Sequence, residues 1–395
     1  MYRVRARNYD FFLTYKIKTI YLREQKDRFY LNEKSAEAVE KSSDKIRIKD
    51  IARMAGVSAG TVDRVLHNRG EVSGRTREKI EAVLKELDYR PNLYASALAS
   101  KRHYKVAALL PKAGGYDYWI EVLRGVGLAA REYASLNVNV EQILFDQYDS
   151  RDFEASADRL LALNPDAVLL APIFRDPSVF LASRLDKRQI PYVFIDSDIA
   201  EANALSYFGM DSFQSGYLAA KLLLADIEPQ QDIAVFKINR YGNVGSNQSD
   251  LRYQGFQKYV EENLPQHRLQ LVMLHPSDDR LNLQTIRDFF IQYPKVREGI
   301  TFNSRAFRIA YYLDDLQRSP FRLLGYELLL PNVKALKEGK IRYLLSQRPE
   351  LQGYRGMKAL CEYKVFKKEV PRRNFMPIDI LTAENIDYYT DFQLF

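Results

Sequence analysis

Apolar positions between residues 48 and 87 recur at three- and four-residue spacing, the repeat that turns one side of an α-helix toward a core. Ile48, Ile51, Ala52 and Ala55 make a first stripe, Val62, Val65 and Leu66 a second, and Ile80, Val83, Leu84 and Leu87 a third. Gly56-Val57 separates the first two, Ser58 stands where a hydroxyl caps the second helix, and Ser73 stands likewise before the third. The pattern predicts a helix-turn-helix completed by a third helix, an arrangement that docks on DNA. The side of the second helix turned from that core carries Ala59, Gly60, Asp63, Arg64 and His67, of which Arg64 has a guanidinium long enough to reach base edges. Pro91 then stops the helical pattern, and residues 93–100, LYASALAS, form a helical stretch too short to be stable alone. Such a segment orders only against a partner.

From Lys105 onward short apolar runs alternate with amphipathic ones. Strands are predicted at 106–110, 138–145, 167–171 and 192–195, with helices at 120–133 and 153–163 between the first of them. A second series has strands at 233–238, 269–274, 299–302, 322–324 and 343–346, with helices at 252–263 and 283–293. Strands alternating with helices give parallel sheets covered on both faces, and two series give two lobes. The expected fold is therefore an all-α headpiece followed by a two-lobed α/β body with parallel sheets.

Charge supports this division. Residues 1–45 hold 11 Lys+Arg against 7 Asp+Glu and residues 46–105 hold 13 against 7, whereas the remainder holds 35 against 37. The excess positive charge sits in the first quarter of the chain, as a polyanion-binding front end on a nearly neutral body requires. Residues 1–45 are aromatic and basic at first and polar from Glu33 to Lys45; they read as an extension, either an arm adding phosphate affinity or a segment with no role in binding.

Several function classes fall away. The single cysteine, Cys361, excludes an intrachain disulfide framework and lies in an apolar helical run where packing is its expected role. His67, His103, His267 and His275 lack ligand spacing, so no metal and no cofactor are expected. The stretch Phe11-Phe12-Leu13 is too short for a secretory core and no run approaches the ~20 apolar residues of a membrane span, so the expected location is the cytoplasm. No GxGxxG or GxxxxGK[ST] follows a predicted strand and no nucleophile is paired with a base, so catalytic residues are not expected.

The runs AGVSAGTVDRV, VSGRTREKI, LDYRPN and ASALAS together resemble the LacI/GalR family of bacterial transcription regulators. The resemblance implies a homodimer on double-stranded operator DNA, with paired hinge helices in the minor groove and Leu98 as the wedge between base steps. It implies that Ser58, Thr61, Ser73, Thr76 and Asn92 bond phosphates while Ala59, Gly60 and Arg64 face bases, with His67 on the same helix and Ala95 in the hinge completing the contact set. The expected divisions are an extension at 1–45, a helix-turn-helix domain at 46–90, a hinge at 91–103 and an effector domain at 104–395. Within the last, the N-terminal lobe takes about 104–208 and 348–369 and the C-terminal lobe about 209–347 and 370–395.

Ligands of such sheets collect beyond the carboxyl ends of strands. The residues there are Tyr116, Asp117, Tyr118, Trp119, Asp146, Asp196, Asp198, Asn239, Asn303, Ser304, Tyr326, Glu327 and Gln347. Across about 105–389 the body resembles the type I periplasmic sugar-binding fold, which also places Arg252 in the cleft and Gln347 at a crossover between lobes. The effector set is thus Tyr118, Trp119, Asp196, Arg252, Asn303, Glu327 and Gln347, suited by rings, carboxylates and amides to a sugar or sugar derivative. Asn303-Ser304-Arg305 stands where sugar-binding members often carry aspartate, and Arg305 with Arg252 would instead suit an anionic group. The expected function is a transcription repressor controlled allosterically by that effector; the competing readings are a solute-binding transport component without DNA binding, and an α/β enzyme.

Overall fold

The computed structural model describes residues 47–390 except 67–69, 88, 90–93, 95–96, 99, 101, 116, 230 and 239–246. The chain separates into two compact units at Asn92. In the first, α1 (Ile48–Ala55), α2 (Ala59–Leu66) and α3 (Gly74–Glu86) enclose one small core. Ile51, Ala52, Ala55, Val62, Val65 and Ile80 are buried there, with Val83, Leu84 and Leu87 packed at its edge. Helix α1 ends at Gly56, whose φ of 65° is a left-handed conformation that a residue without Cβ adopts at no steric cost.

The second unit is built from two six-stranded sheets. Its N-terminal lobe contains β1 (Tyr104–Pro111), α4 (Tyr118–Tyr133), β2 (Val138–Phe145), α5 (Ser150–Ala162), β3 (Ala167–Leu170), α6 (Arg175–Lys187), β4 (Tyr192–Ile195) and β5 (Ser206–Gly209). The C-terminal lobe begins with α7 (Ser212–Leu223), β6 (Ile233–Ile238), α8 (Asn247–Asn263), β7 (Leu269–Leu274) and α9 (Asp279–Gln292). It continues with β8 (Glu298–Thr301), α10 (Ala306–Asp315), β9 (Arg322–Tyr326), α11 (Leu330–Lys337) and β10 (Tyr343–Ser346). Helix α12 (Pro349–Phe366) then returns to the first lobe and packs along α4. The chain finishes with β11 (Arg373–Phe375), β12 (Asp379–Leu381) and α13 (Ile386–Thr390).

Strand order is β11-β5-β4-β3-β1-β2 in one lobe and β12-β10-β9-β8-β6-β7 in the other, parallel throughout except for the antiparallel pairing of β12 with β10. The last lobe crossing falls later than expected. Residues 373–375 pair with β5 at the edge of the N-terminal sheet, and Asn374 Nδ2 donates to Ser206 Oγ at 2.8 Å, so the chain leaves that lobe only after Phe375. Strands β1, β3 and β4, in the middle of the N-terminal sheet, are buried along almost their whole length, as sheets covered on both faces demand. Cys361 is fully buried, and burial pushes its thiol up to about 12, which fits a packing role.

Candidate functional site

In the headpiece, Ser58 Oγ accepts from the Thr61 N–H at 3.1 Å and lies 2.9 Å from Thr61 Oγ1. Ser73 Oγ accepts from the Thr76 N–H at 3.4 Å and lies 2.8 Å from Thr76 Oγ1. Each Ser–Thr pair caps a helix start and keeps one hydroxyl hydrogen for an outside acceptor, the chemistry a phosphate contact needs. With Val62 and Val65 buried, Gly60 and Arg64 stand one turn apart on the exposed side of α2, and Ala59 is half-buried beside them. Arg53 is held by Asp50 at 3.1 Å. Leu98 is 58% exposed, whereas Ala97 packs onto the N-terminal lobe and the Tyr94 ring lies 4.7 Å from that of Phe366. His67, Asn92 and Ala95, with the extension at 1–45, lie outside the described residues.

A cavity of about 100 Å³ lies at the carboxyl ends of both sheets, and its walls include all seven residues of the expected effector set: Tyr118, Trp119, Asp196, Arg252, Asn303, Glu327 and Gln347. Asp117, Gln147, Tyr148, Lys237, Gln248, Ser249, Ser304 and Arg305 complete its polar lining. A second, larger cavity of about 690 Å³ lies beside α4 and α12, but its charges are matched within the protein: Arg348 bonds Asp379 and Arg124 bonds Glu350. The smaller one is lined by the buried guanidinium of Arg252, whose donors are not all paired among the described residues.

Its centre is a buried guanidinium between two buried carboxylates. Asp196 and Glu327 follow β4 and β9 at corresponding places in the two lobes, and both adopt left-handed backbone, φ 68° and 73°. For Glu327 that conformation is strained, and Asn332 on α11 stabilises it by donating to the carbonyls of Ser304, Tyr326 and Glu327 at 2.8–3.0 Å. The Gln347 amide, on the crossover between lobes, donates to Glu327 Oε1 at 2.9 Å and to Asp196 Oδ1 at 3.2 Å. Gln248, on α8, donates to Asp196 Oδ1 at 2.8 Å from the opposite lobe. Arg252, one turn further along α8 and 2% exposed, donates through Nη1 to the Phe302 carbonyl at 2.9 Å and stacks 3.9 Å above the Tyr326 ring. Its Nη2 is 3.9 Å from Glu327 Oε1, beyond hydrogen-bonding reach. Among the described residues, Arg252 Nε, Arg252 Nη2 and Glu327 Oε2 are buried without hydrogen-bond partners. Two donors and an acceptor on residues that line the cavity are thereby left unpaired, and a hydroxyl-bearing ligand that reaches them would satisfy both kinds at once.

Burial pushes Glu327 up to about 7, with Arg252 pulling against it and Asp196 adding to it; Asp196 is raised for the same first reason. A carboxyl that holds its proton more tightly in the folded state makes folding favourable below its unfolded value near 4.5, and that advantage is lost as pH rises through 7. The thermal midpoint of the ligand-free protein is therefore expected to fall between about pH 4.5 and 7, by up to roughly 3 kcal/mol of stability from this group. Glu327→Gln should flatten the profile in that interval; an unchanged slope would refute the assignment.

The structure differs from the sequence reading around this cavity. Asp198 bonds Arg372 and Arg373 behind the site. Asp146 caps the Tyr148 N–H, and Tyr326 supports Arg252 from below instead of facing the cavity. Asn303 lines the cavity, but its side chain bonds Thr301 Oγ1 and the Arg305 N–H, so much of its hydrogen-bonding capacity is spent on the loop. Arg305 stacks on Tyr148 at 5.6 Å and reaches toward the Pro276 carbonyl. The central arginine is thus matched by two carboxylates, an arrangement that suits a neutral ligand better than an anion. Gln248, Gln147 and Asn332 were not anticipated; for Gln248 the signal was its place four residues before Arg252, on the same side of one helix. Tyr116 and Asn239 lie outside the described residues.

Comparison with known proteins matches residues 107–368 to the periplasmic binding protein domain and residues 47–92 to the lacI family of bacterial regulatory proteins. The HTH-type transcriptional repressor PurR of Yersinia pestis (strain Pestoides F) is 30% identical over 219 residues, 55% of this chain and 61% of the relative, and that of Yersinia pseudotuberculosis serotype O:1b gives the same values. The chain thus matches about three fifths of the length of these curated relatives. A solved Bacteroides fragilis structure assigned to the LacI transcriptional regulators is 39% identical, with a TM-score of 0.69 over 73% of this chain and 100% of that one. The glucose-galactose binding protein GanP of Geobacillus stearothermophilus, 21% identical with a TM-score of 0.64 over 72% of this chain and 99% of its own, shares the fold of the body. With a lacI-type headpiece and a periplasmic-binding-type body joined in this order, the chain belongs to the LacI/GalR family of bacterial transcription regulators.

Proposed function

We propose that the protein is a DNA-binding transcription repressor, acting as a homodimer in the cytoplasm, whose operator affinity is set by a small polar effector, a sugar or sugar derivative, bound between the lobes. The observation that carries this reading is that one chain joins a helix-turn-helix presenting Arg64 to a body whose cavity is lined by buried Arg252 and Glu327 atoms without partners among the described residues. Effector contact with both carboxylates, one from each lobe, favours one angle between lobes, and a dimer transmits that angle to its paired hinge segments. By reciprocity the operator changes effector affinity by the same factor. Ser58, Thr61, Ser73, Thr76 and Asn92 fix register on phosphates, Ala59, Gly60, Arg64 and His67 face the major groove, and Ala95 and Leu98 enter the minor groove.

Selection of bound fragments from genomic DNA by the full-length protein tests the first half of this reading. A pseudo-palindromic site should emerge, and binding without any sequence preference would refute it. Thermal-shift titration with sugars, sugar phosphates and sugar acids tests the second half. Arg64→Ala should relax discrimination at one base pair per half-site by about 1–3 kcal/mol while leaving the salt slope nearly unchanged. Equal discrimination by the two proteins would remove Arg64 from base readout.

A further inference from the structure

Helix α7 faces neither the cavity nor any expected ligand, yet it bears on Arg252 in two ways, once directly and once through Tyr326. At Gly216 the helix lies so close to α8 that an ideal Cβ would sit 1.8 Å from the Arg252 carbonyl oxygen and 2.6 Å from its carbonyl carbon. The approach is reciprocal: a Cβ on Gly255 would lie 1.9 Å from the Phe213 carbonyl oxygen. These obstacles are backbone atoms, which cannot rotate aside as a side chain can, so any substituent at 216 must separate the helices at the residue that carries the guanidinium. One residue earlier, Ser215 is fully buried and shares a hydrogen bond of 3.4 Å with the Tyr326 hydroxyl. The Tyr326 ring is the face on which the Arg252 guanidinium rests at 3.9 Å.

We propose that Gly216 and Ser215 are positioning residues for Arg252: Gly216 sets the depth of its backbone, and Ser215 orients the ring beneath its guanidinium. The proposal rests on the reading of Arg252 as an effector contact only for its consequence in binding; the placement itself is measurable without a ligand. A group carrying two unpaired donors is useful only where those donors point, and displacement by about an ångström costs such a site most of its affinity.

The experiment records the arginine Nε–H resonances of the full-length protein by two-dimensional ¹⁵N NMR, with Arg252→Lys identifying the signal. In the native protein the tyrosine ring current should hold the Arg252 Nε–H upfield of exposed arginines. Gly216→Ala should move it back toward them, and Ser215→Ala should move it part of the way. Gly125→Ala is the control, because Gly125 makes a like approach to the Glu350 carbonyl oxygen, 1.9 Å from an ideal Cβ, in the other lobe. It should cost similar stability and leave the Arg252 signal in place. An Arg252 signal unmoved by Gly216→Ala, or moved equally by Gly125→Ala, would overturn the proposal; if Gly216→Ala does not fold, the Ser215→Ala spectrum decides by the same criterion. Affinity for whichever sugar gives the largest thermal shift should drop at least tenfold in Gly216→Ala. Should no sugar bind while the signal still moves, the effector reading fails and the positioning role stands.

Discussion

Arg252→Ala should leave operator binding intact and abolish the response to effector. Two buried donors of this side chain, Nε and Nη2, have no partner among the described residues, so a bound ligand that reaches them gains two charge-assisted hydrogen bonds. At about 1.5–3 kcal/mol each, their loss weakens effector binding by at least ~100-fold. Folding should suffer less, because the carboxylate left behind, Glu327, sits near 7 and takes up a proton when its arginine is gone. Arg252→Lys should recover little, since an ammonium has neither the planar fork nor the face that stacks on Tyr326. The check is an operator-binding titration against the sugar found by thermal shift. A variant released or recruited at the native effector concentration would remove Arg252 from the site.

Ile80→Ala should have the larger effect on DNA. Ile80 is fully buried and, among the described residues, is the one α3 side chain wholly enclosed in a headpiece core of six buried residues. Removing a buried isoleucine to alanine costs about 2–5 kcal/mol, and a helical unit of this size has little more than that to lose. The expected outcome is an unfolded headpiece and loss of measurable operator binding, with the thermal transition and effector titration of the body unchanged, because the body has its own two-lobed core. Calorimetry should show one transition weakened and the other preserved. Native operator affinity in this variant would mean that the headpiece draws its stability from elsewhere.

The pattern of apolar residues was sufficient for the headpiece because each helix there is a local decision. Helical spacing, the caps Ser58 and Ser73 and the glycine turn all act within a few residues of one another, and the structure shows them bonded as their spacing requires. Strands 192–195, 233–238, 269–274 and 343–346 were legible to the residue, since a run of apolar residues bounded by polar loops is also a local signal. Helices were read short at their starts: α8 begins at Asn247 and not at Arg252, because its first turn is polar and faces the cavity. That omission concealed Gln248. The short strands β5, β11 and β12 were not read at all, being three or four residues long and stabilised by pairing with distant partners.

The strand-end rule identified a set of polar positions, but it could not separate Asp196 and Glu327, which face the cavity, from Asp198, which pairs with the distant Arg372, and Asp146, which bonds its own loop. Sequence by itself determined the order of parts, the helical front end with its positive charge, the alternation that makes two parallel sheets, and the residue types available for a polar ligand. Only the tertiary structure decided that two carboxylates from different lobes share one amide and one arginine, that this arginine keeps two donors unpaired, and that a glycine on a remote helix sets its depth. Periodicity and capping act over neighbouring residues and are written in the chain, whereas these last features join positions far apart in it and exist only when burial strips away the water that would otherwise satisfy them.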